Sequence, residues 1–411
     1  MRSRGRGPWP LAILTALVLW LIALPLWAGA LQVSGRVLGP DGKGLAGAII
    51  SDGAGLTKSD ASGTFALASQ GGRVMAVTAP VGYSTSGRWW WPAEQAQQVE
   101  AYLVPAAHAG LEPQVALISD PHLMNAQFPT VNYPPPPGGW DLPMRVWERV
   151  AGQVKAAKPA LTVVAGDLCM DADQGDAAHA EGQMKLSAQA LALLPPPARA
   201  LPGNHDVRYQ DGQAGASVDY GLWHQHLGPS RHLYLLKGMA WIMLDNTGRG
   251  QAPTGKPRSL GRTPPEGVAW LKALLEALPK DLPLVLVTHY PLASPVAGVN
   301  PLHGGALVKA GGEAGAALRD TDQAAPEILA LLKGRPVLAF ISGHEHAFHQ
   351  SLLPARTGLW QFTGLPALCG KWWLGDRDWG PLAFPAGYVL MALKSTPAGP
   401  RLESRFVEVR F

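Results

Sequence analysis

The chain is poor in cysteine. Only Cys169 and Cys369 occur among 411 residues, which is too few for the disulfide framework of a small secreted scaffold. Whether these two form a disulfide or remain buried free thiols is left open by the sequence. Neither begins the C-x5-R loop of a phosphatase with a cysteine nucleophile, because Gly175 and Gly375 stand where the arginine would be.

Charge is also scarce. Charged residues make up 16% and hydrophobic residues 47% of the chain, a balance typical of globular proteins rather than disordered ones. Arg2, Arg4 and Arg6 supply three of the excess positive charges, and residues 1–30 contain no acidic residue. No polybasic run follows, so the sequence provides no reason to expect nucleic acid as a partner.

The first 30 residues have the three parts of a secretory signal peptide. Basic residues come first, then an apolar stretch from Leu11 to Trp27, then an A-x-A sequence that ends at Ala30. An uncleaved membrane anchor is the alternative, because the apolar stretch approaches the ~20 residues that span a bilayer. Pro25 favours cleavage. In either case we expect the rest of the chain to be exported, as a periplasmic or secreted protein.

The remaining sequence falls into three parts. Residues 31–104 predict a small N-terminal β-sandwich, because short strands alternate with turns rich in glycine and aspartate. Residues 113–350 alternate strands with helical stretches such as 144–157 and 267–278, which predicts a layered α/β domain. Residues 351–411 return to short strands and are predicted to complete or cap that domain.

Five short blocks of metal-binding residue types follow apolar runs that are predicted to be strands. The runs are 115–119, 161–165, 200–202, 285–288 and 337–342, and the blocks after them are D-P-H, G-D, G-N-H-D, T-H-Y-P and G-H-E-H. Residues at the carboxyl ends of neighbouring strands converge in one crevice of an α/β fold. Two aspartates, one asparagine and four histidines suit two divalent metal ions about 3.5–4 Å apart.

The order and spacing of these blocks resemble the calcineurin-like metallophosphoesterase superfamily. The flanking segments Ser34-Gly35-Arg36-Val37 and Cys369-Gly370-Lys371-Trp372-Trp373 resemble those of an exported branch of it. The resemblance implies a four-layer α/β/β/α sandwich after the N-terminal β-sandwich. It also implies a centre of two divalent ions (Mn, Fe or Zn). Its ligands would be Asp120, His122 and His346 for one ion, Asn204, His289 and His344 for the other, and Asp167 bridging both.

The same resemblance implies roles around the metals. A hydroxide that bridges the ions would be the nucleophile, and His205 would protonate the leaving oxygen, with Asp206 a candidate to orient it. Trp372 and Trp373 could line the substrate pocket or pack domains together.

The implied function is an exported hydrolase of phosphate monoesters or diesters, on small molecules, lipids or glycans. An inactive hydrolase domain carried by a binding β-sandwich is the alternative, and intact ligands at all seven positions argue against it.

We expect cleavage after Ala30, because the A-x-A sequence ends there, so that Leu31 becomes the first residue of the exported protein. N-terminal sequencing of exported protein checks this. Recovery of intact Met1 in the membrane fraction would identify an uncleaved anchor instead.

Overall fold

The structure is a computed structural model that describes residues 30–106, 112–209, 218–251, 257–296, 320–355, 358–374, 383–397 and 399–411. Nearly all of the predicted leader lies outside these ranges. Among the helices within them, none is long and apolar enough to cross a bilayer.

The α-helices of the described residues are α1 Leu142–Ala157, α2 Ala177–Ala192, α3 Gly221–His226, α4 Pro265–Ala277 and α5 Ala325–Leu331. The strands are β1 Ala30–Leu38, β2 Ile49–Ser51, β3 Leu56–Lys58, β4 Thr64–Gln70, β5 Val74–Thr78, β6 Tyr83–Thr85, β7 Trp90–Pro92, β8 Val99–Pro105, β9 Gln114–Ile118, β10 Leu161–Ala165, β11 Ala198–Leu201, β12 Arg208–Tyr209, β13 Val218–Asp219, β14 His232–Leu236, β15 Met239–Met243, β16 Thr247–Gln251, β17 Pro257–Gly261, β18 Leu284–Thr288, β19 Val337–Ser342, β20 His349–Ala355, β21 Gly358–Gly364, β22 Gly387–Thr396 and β23 Gly399–Glu408.

Two four-stranded sheets form the N-terminal β region, in the orders β4-β1-β8-β6 and β3-β2-β5-β7. Strand β8 shows why they pack face to face, because Val99, Ala101 and Leu103 are buried while the residues between them are exposed. Every residue of β5 is buried. Its second face is covered by the following domain, where the Thr78 hydroxyl donates to the carbonyl of Leu233 at 2.8 Å.

Four layers follow, as the resemblance implies, and the predicted α/β/β/α sandwich is confirmed. One sheet has the order β11-β10-β9-β22-β23, and the other has the order β14-β15-β18-β19-β21-β20. Buried side chains such as Leu117, Val163, Val285 and Ile341 fill the space between the two sheets. Helices α1 to α3 cover the outer face of the first sheet, and α4 and α5 cover that of the second. Strands enclosed on both faces must be apolar throughout, which explains the uninterrupted hydrophobic runs.

The strands before the five blocks lie close to their predicted positions. Strands β9, β10 and β11 run parallel to one another in the first sheet, as do β18 and β19 in the second. Each begins and ends within two residues of the predicted run. Helix α2 is not among the helical stretches predicted from periodicity, because many of its residues are alanine. The Asp176 side chain, which accepts a hydrogen bond from the His179 amide, marks where α2 begins.

The C-terminal strands are integral to both sheets. Strand β22 pairs antiparallel with β9 in the first sheet, and β21 pairs parallel with β19 in the second. Each sheet is therefore built from chain segments on both sides of the last metal-binding block.

A buried ion pair joins the N-terminal β region to the layered domain. Arg231 Nε lies 2.6 Å from Asp245 Oδ1, and the side chains are 6% and 0% exposed. The same guanidinium donates to the carbonyl of Gly53 in the N-terminal region at 3.2 Å. Trp270 of α4 adds a second link, because its indole N–H donates to the Ser51 hydroxyl at 2.8 Å.

We expect Arg231→Met to lower the free energy of unfolding by about 3–5 kcal/mol, because it leaves the buried Asp245 carboxylate without its partner. Urea titration followed by tryptophan fluorescence measures the change. Lys185→Met is the matched control, because Lys185 pairs with Glu181 at the surface of α2, where such pairs contribute about 0.3–0.5 kcal/mol. Equal effects of the two substitutions would contradict the prediction.

Candidate metal centre

The donor atoms predicted for one ion face one another. His122 Nε2 lies 3.2 Å from His346 Nε2 and 3.9 Å from Asp120 Oδ1, and His346 Nε2 lies 3.3 Å from the same carboxylate oxygen. Ligand atoms that share one zinc-like ion at ~2.1 Å are themselves ~3–4 Å apart. We call these three residues the first metal position.

The second metal position comprises Asn204, His289 and His344. His289 Nε2 lies 3.2 Å from Asn204 Oδ1, and a donor atom of His344 lies within 4.8 Å of donors from His289 and Asp167. Asp167 reaches both positions, because its Oδ2 is 3.2 Å from His289 Nε2 and 3.7 Å from His122 Nε2. The structure therefore brings together all seven predicted ligands, with Asp167 between the two groups.

Five of these seven residues have a left-handed backbone: φ is 48° at Asp120, 42° at His122, 52° at Asp167, 69° at His344 and 56° at His346. L-residues rarely adopt this region, and such strain persists only where surrounding structure holds it. Each of these residues lies just after a strand, so the left-handed turn aims its side chain at the end of the sheet.

Glycines make room for the ligands. A Cβ atom on Gly166 would lie 2.4 Å from His289 Nδ1, and one on Gly203 would lie 2.2 Å from Asp167 Oδ1. A Cβ atom on Gly343 would lie 1.9 Å from Ser119 Oγ. These contacts give a steric reason for the glycine at the start of the second, third and fifth blocks.

Backbone and side-chain partners orient the imidazoles. His289 Nδ1 donates to the carbonyl of Ala165 at 2.9 Å, and His346 Nδ1 donates to that of Gly370 at 3.0 Å. Each bond leaves the Nε2 lone pair directed at the site. Asn246, which the sequence reasoning missed, accepts from the His289 backbone N–H at 3.1 Å. Its place directly after the buried run of β15 is the signal that could have identified it.

Without a metal, the buried carboxylates and imidazoles of the site shift one another's pKa values. Burial opposes ionisation of Asp167, but the imidazoles of His289 and His205 outweigh it and hold its pKa well below the usual range. Burial is the largest influence on His122 and lowers its pKa well below the ordinary value. Burial opposes the charged form of His289, but the Asp167 carboxylate outweighs it and raises the pKa of His289 to about 9. An ionised carboxylate and a neutral imidazole are the forms that bind a divalent cation, so His289 would release a proton when an ion binds. Buried lone pairs that converge in this way need a cation or a proton between them, and two divalent ions fit.

A sequence model of calcineurin-like phosphoesterases matches residues 113–348, more than half of the chain and all five blocks. The chain belongs to the calcineurin-like phosphoesterase family. It is a metal-dependent phosphoesterase with a dinuclear divalent metal centre, and its substrates are phosphate esters.

Several solved structures are similar to this phosphoesterase. A dimetal phosphatase from Danio rerio is 13% identical with a TM-score of 0.42, and the protein TT1561 of Thermus thermophilus is 13% identical with a TM-score of 0.37. A single mutant of Vps29 from Entamoeba histolytica is 9% identical with a TM-score of 0.26. Each comparison covers 72% of this chain and 99% of the other. No curated protein sequence matches the chain.

The predicted pairing of Asp206 with His205 differs from the hydrogen bonds in the phosphoesterase. Asp206 accepts instead from the backbone N–H groups of Leu168, Cys169 and Gly203, at 3.1, 3.0 and 2.9 Å. It thereby ties the third block to the loop that carries Asp167.

The carboxylate beside the His205 ring is Asp173, whose Oδ1 lies 3.4 Å from Nδ1. The sequence reasoning missed Asp173 because it lies outside the blocks, six residues after Asp167. The signal in the sequence that could have identified Asp173 is that it is the second aspartate, after Asp171, in the loop that follows the G-D block.

The two tryptophans predicted at the pocket occupy different environments. The Trp372 ring lies 4.5 Å from the His122 ring and 4.9 Å from the His346 ring, and it stacks on Tyr133 at 5.5 Å. Trp373 is 0% exposed and belongs to the core under α1. Trp372 therefore borders the metal ligands, whereas Trp373 offers no surface to a substrate.

Both cysteines of the phosphoesterase are free thiols in the structure, and both are buried. Cys169 Sγ donates to Asp206 Oδ1 at 3.3 Å, and burial raises its pKa well above the ordinary value. The thiol thus supports the third block as a neutral donor.

We expect Gly343→Ala to reduce the metal bound per chain. The added Cβ would lie 2.7 Å from Asp120 Oδ2 as well as against Ser119, so the Asp120 carboxylate must move. Elemental analysis after removal of free metal measures the loss. Gly152→Ala in α1 is the control, because its Cβ would meet no atom within 4 Å and alanine favours a helix by about 1 kcal/mol. Unchanged metal content in Gly343→Ala would show that the close contact is not required.

Proposed function

We propose that this phosphoesterase is exported and that it hydrolyses phosphate esters with a hydroxide nucleophile. The observation that carries the proposal is the convergence of seven buried ligand side chains, with Asp167 shared by both groups. When bound, two divalent ions would supply a hydroxide near neutral pH and positive charge for the phosphate oxyanion. The composition of residues 1–30 supports export.

The ligands leave the centre electropositive. Asp120, His122 and His346 would hold one ion, Asn204, His289 and His344 would hold the other, and Asp167 would bind both. Only the two aspartates carry negative charge, so they neutralise half of the charge of two divalent ions. The remaining positive charge favours a phosphate group over a neutral ester.

His205 would act as the general acid. Its ring lies 4.9 Å from the His122 ring, and its side chain is 12% exposed, so it can face a leaving group at the edge of the site. Burial disfavours the imidazolium, but the carboxylates of Asp167 and Asp173 outweigh this and raise the pKa of His205 to about 10. Positive charge on bound ions would lower that value again. The proposed role of Asp173 is to stabilise the protonated ring.

Proposed substrates are monoesters or diesters of small molecules, lipids or glycans. Tyr133 and Trp372 form an aromatic wall beside the first metal position, because the two rings stack with an interplanar angle of 15°. Tyr133 reaches the site from the proline-rich loop at residues 133–139. An inactive binding module has less support, since it gives no reason for seven buried ligands to converge.

We expect His205→Ala to lower kcat on an alkyl phosphate ester by about 10²–10⁴-fold, because an alkoxide must be protonated as it departs. A nitrophenyl ester has an acidic leaving group and should lose much less. Asp173→Asn should show the same dependence on the leaving group with a smaller loss. The measurement is kcat on both esters at saturating metal, with metal content determined for each variant.

Asp167→Asn is the reference for this experiment. It should reduce turnover of both esters alike and lower metal occupancy, because it removes a ligand of both positions. Equal losses on the two esters in His205→Ala, or loss of metal, would make His205 a ligand or a positioning residue. A leaving-group dependence in His205→Ala but none in Asp173→Asn would remove Asp173 from the proposed role.

A further inference from the structure

The segment at residues 367–374 contacts the metal ligands although it lies beyond the residues that match the family. The backbone N–H of Leu368 donates to the carbonyl of Ser119 at 2.9 Å, and that of Cys369 donates to the carbonyl of Asp120 at 3.3 Å. Ala367 also forms a parallel β-bridge with Ser119. The segment therefore lies directly against the end of β9, from which the first block emerges.

The same segment contacts both histidines of the first metal position, one through its ring and the other through its backbone. The Gly370 carbonyl accepts from His346 Nδ1 at 3.0 Å, and the Trp373 indole N–H donates to the carbonyl of His122 at 2.9 Å. The Trp372 ring packs against both of these histidines. All three residues of the first metal position thus have a partner in one short stretch of chain.

Other elements hold His289 of the second metal position. His289 is oriented by the Ala165 carbonyl at the end of β10 and by the Asn246 side chain after β15. Asn246 is fixed in turn by its bond from Nδ2 to Asp322 Oδ2 at 3.1 Å. The supports of His289 therefore come from parts of the chain other than the segment at residues 367–374, and the two positions are linked by the His344 backbone N–H, which donates to Asp120 Oδ2 at 3.1 Å.

The conformation of the segment is specific. Gly370, Trp372 and Trp373 have φ values of 55°, 54° and 61°. Left-handed residues this close together persist only where packing holds them. Here the buried Trp373 ring anchors the turn in the core, and the Gly387 backbone N–H donates to the Ala367 carbonyl at 3.2 Å.

We propose that the segment from Ala367 to Leu374 sets the metal affinity of the first metal position, and that Trp373 is a positioning residue acting through His122. This inference rests on the proposed function, because it takes Asp120, His122 and His346 as ligands of one ion. His122 has a left-handed backbone at φ 42°, and the indole N–H fixes the carbonyl of that strained residue. Loss of a partner that orients a metal ligand typically weakens metal binding about 10–100-fold.

Trp373→Phe tests the inference, because it keeps an aromatic ring and removes the N–H donor. The metal-free variant is titrated with Mn²⁺, and bound metal per chain is measured by equilibrium dialysis and elemental analysis. We expect one of the two binding steps to weaken about 10–100-fold while the other is unchanged. We also expect kcat to recover as the Mn²⁺ concentration is raised, because the substitution leaves the catalytic groups in place.

Trp147→Phe is the matched control. Trp147 is also 0% exposed, belongs to the same core and donates its indole N–H to a backbone carbonyl, that of Ala190, at 2.8 Å. It lies in α1, and its acceptor is a residue of α2. The control should lose a similar amount of stability and keep both binding steps.

Trp372→Leu is a second test that does not depend on a fully buried ring. Trp372 is only partly buried, and the substitution removes its contacts with His122 and His346. We expect the same selective weakening of one binding step.

Unchanged Mn²⁺ binding in both Trp373→Phe and Trp372→Leu would overturn the inference, as would equal weakening of both steps. His122→Ala separates this outcome from failure of the proposed function. If His122→Ala keeps two strongly bound ions, the ligand assignment itself is wrong. If His122→Ala loses one ion while both tryptophan variants bind normally, only the positioning role fails.

Discussion

The packing of two sheets face to face, with their block-bearing strands ending at the same edge, is the constraint on which the metal centre depends. Each metal position combines predicted ligands from both sheets. Asp120 and His122 follow β9 in the first sheet, whereas His346 follows β19 in the second. Asn204 likewise follows β11, and its partners His289 and His344 follow β18 and β19. The buried side chains between the sheets therefore fix the distance between ligands that are far apart in sequence.

This arrangement concentrates backbone strain and polar burial in one place. A left-handed residue costs roughly 1–3 kcal/mol, and five ligands adopt that conformation. Burying imidazoles and carboxylates away from water costs free energy unless they have hydrogen-bonding or ionic partners. Two divalent ions would satisfy all of these groups at once, so that metal binding and the packing of the two sheets stabilise each other. The glycines of the blocks are needed for the same arrangement, because a side chain at Gly203 would collide with Asp167.

The sequence predicts those parts of the structure that depend on local pattern. Strands buried on both faces give continuous apolar runs, so the strands before the five blocks lie within two residues of their predicted positions. Helix α2 was missed because its alanine-rich sequence carries a weak apolar stripe. Asp173 and Asn246 were not predicted from the sequence for another reason. Asp173 lies beside His205, and Asn246 contacts His289, only because the chain is folded. The resemblance made Asp206 a candidate to orient His205, whereas its carboxylate accepts hydrogen bonds from the backbone of residues 168 and 169.

The two metal positions differ in what supports them, and this difference has a physical consequence. The first position is supported by a turn whose conformation depends on the burial of Trp373 and on the pairing of β22 with β9. In the second position, the His289 backbone N–H donates to Asn246 Oδ1, and Asn246 Nδ2 donates in turn to Asp322. We therefore expect a perturbation of the C-terminal strands to act on the first position through the backbone of Asp120 and His122. The segment beyond the family region thus contacts the predicted centre through Asp120, His122 and His346.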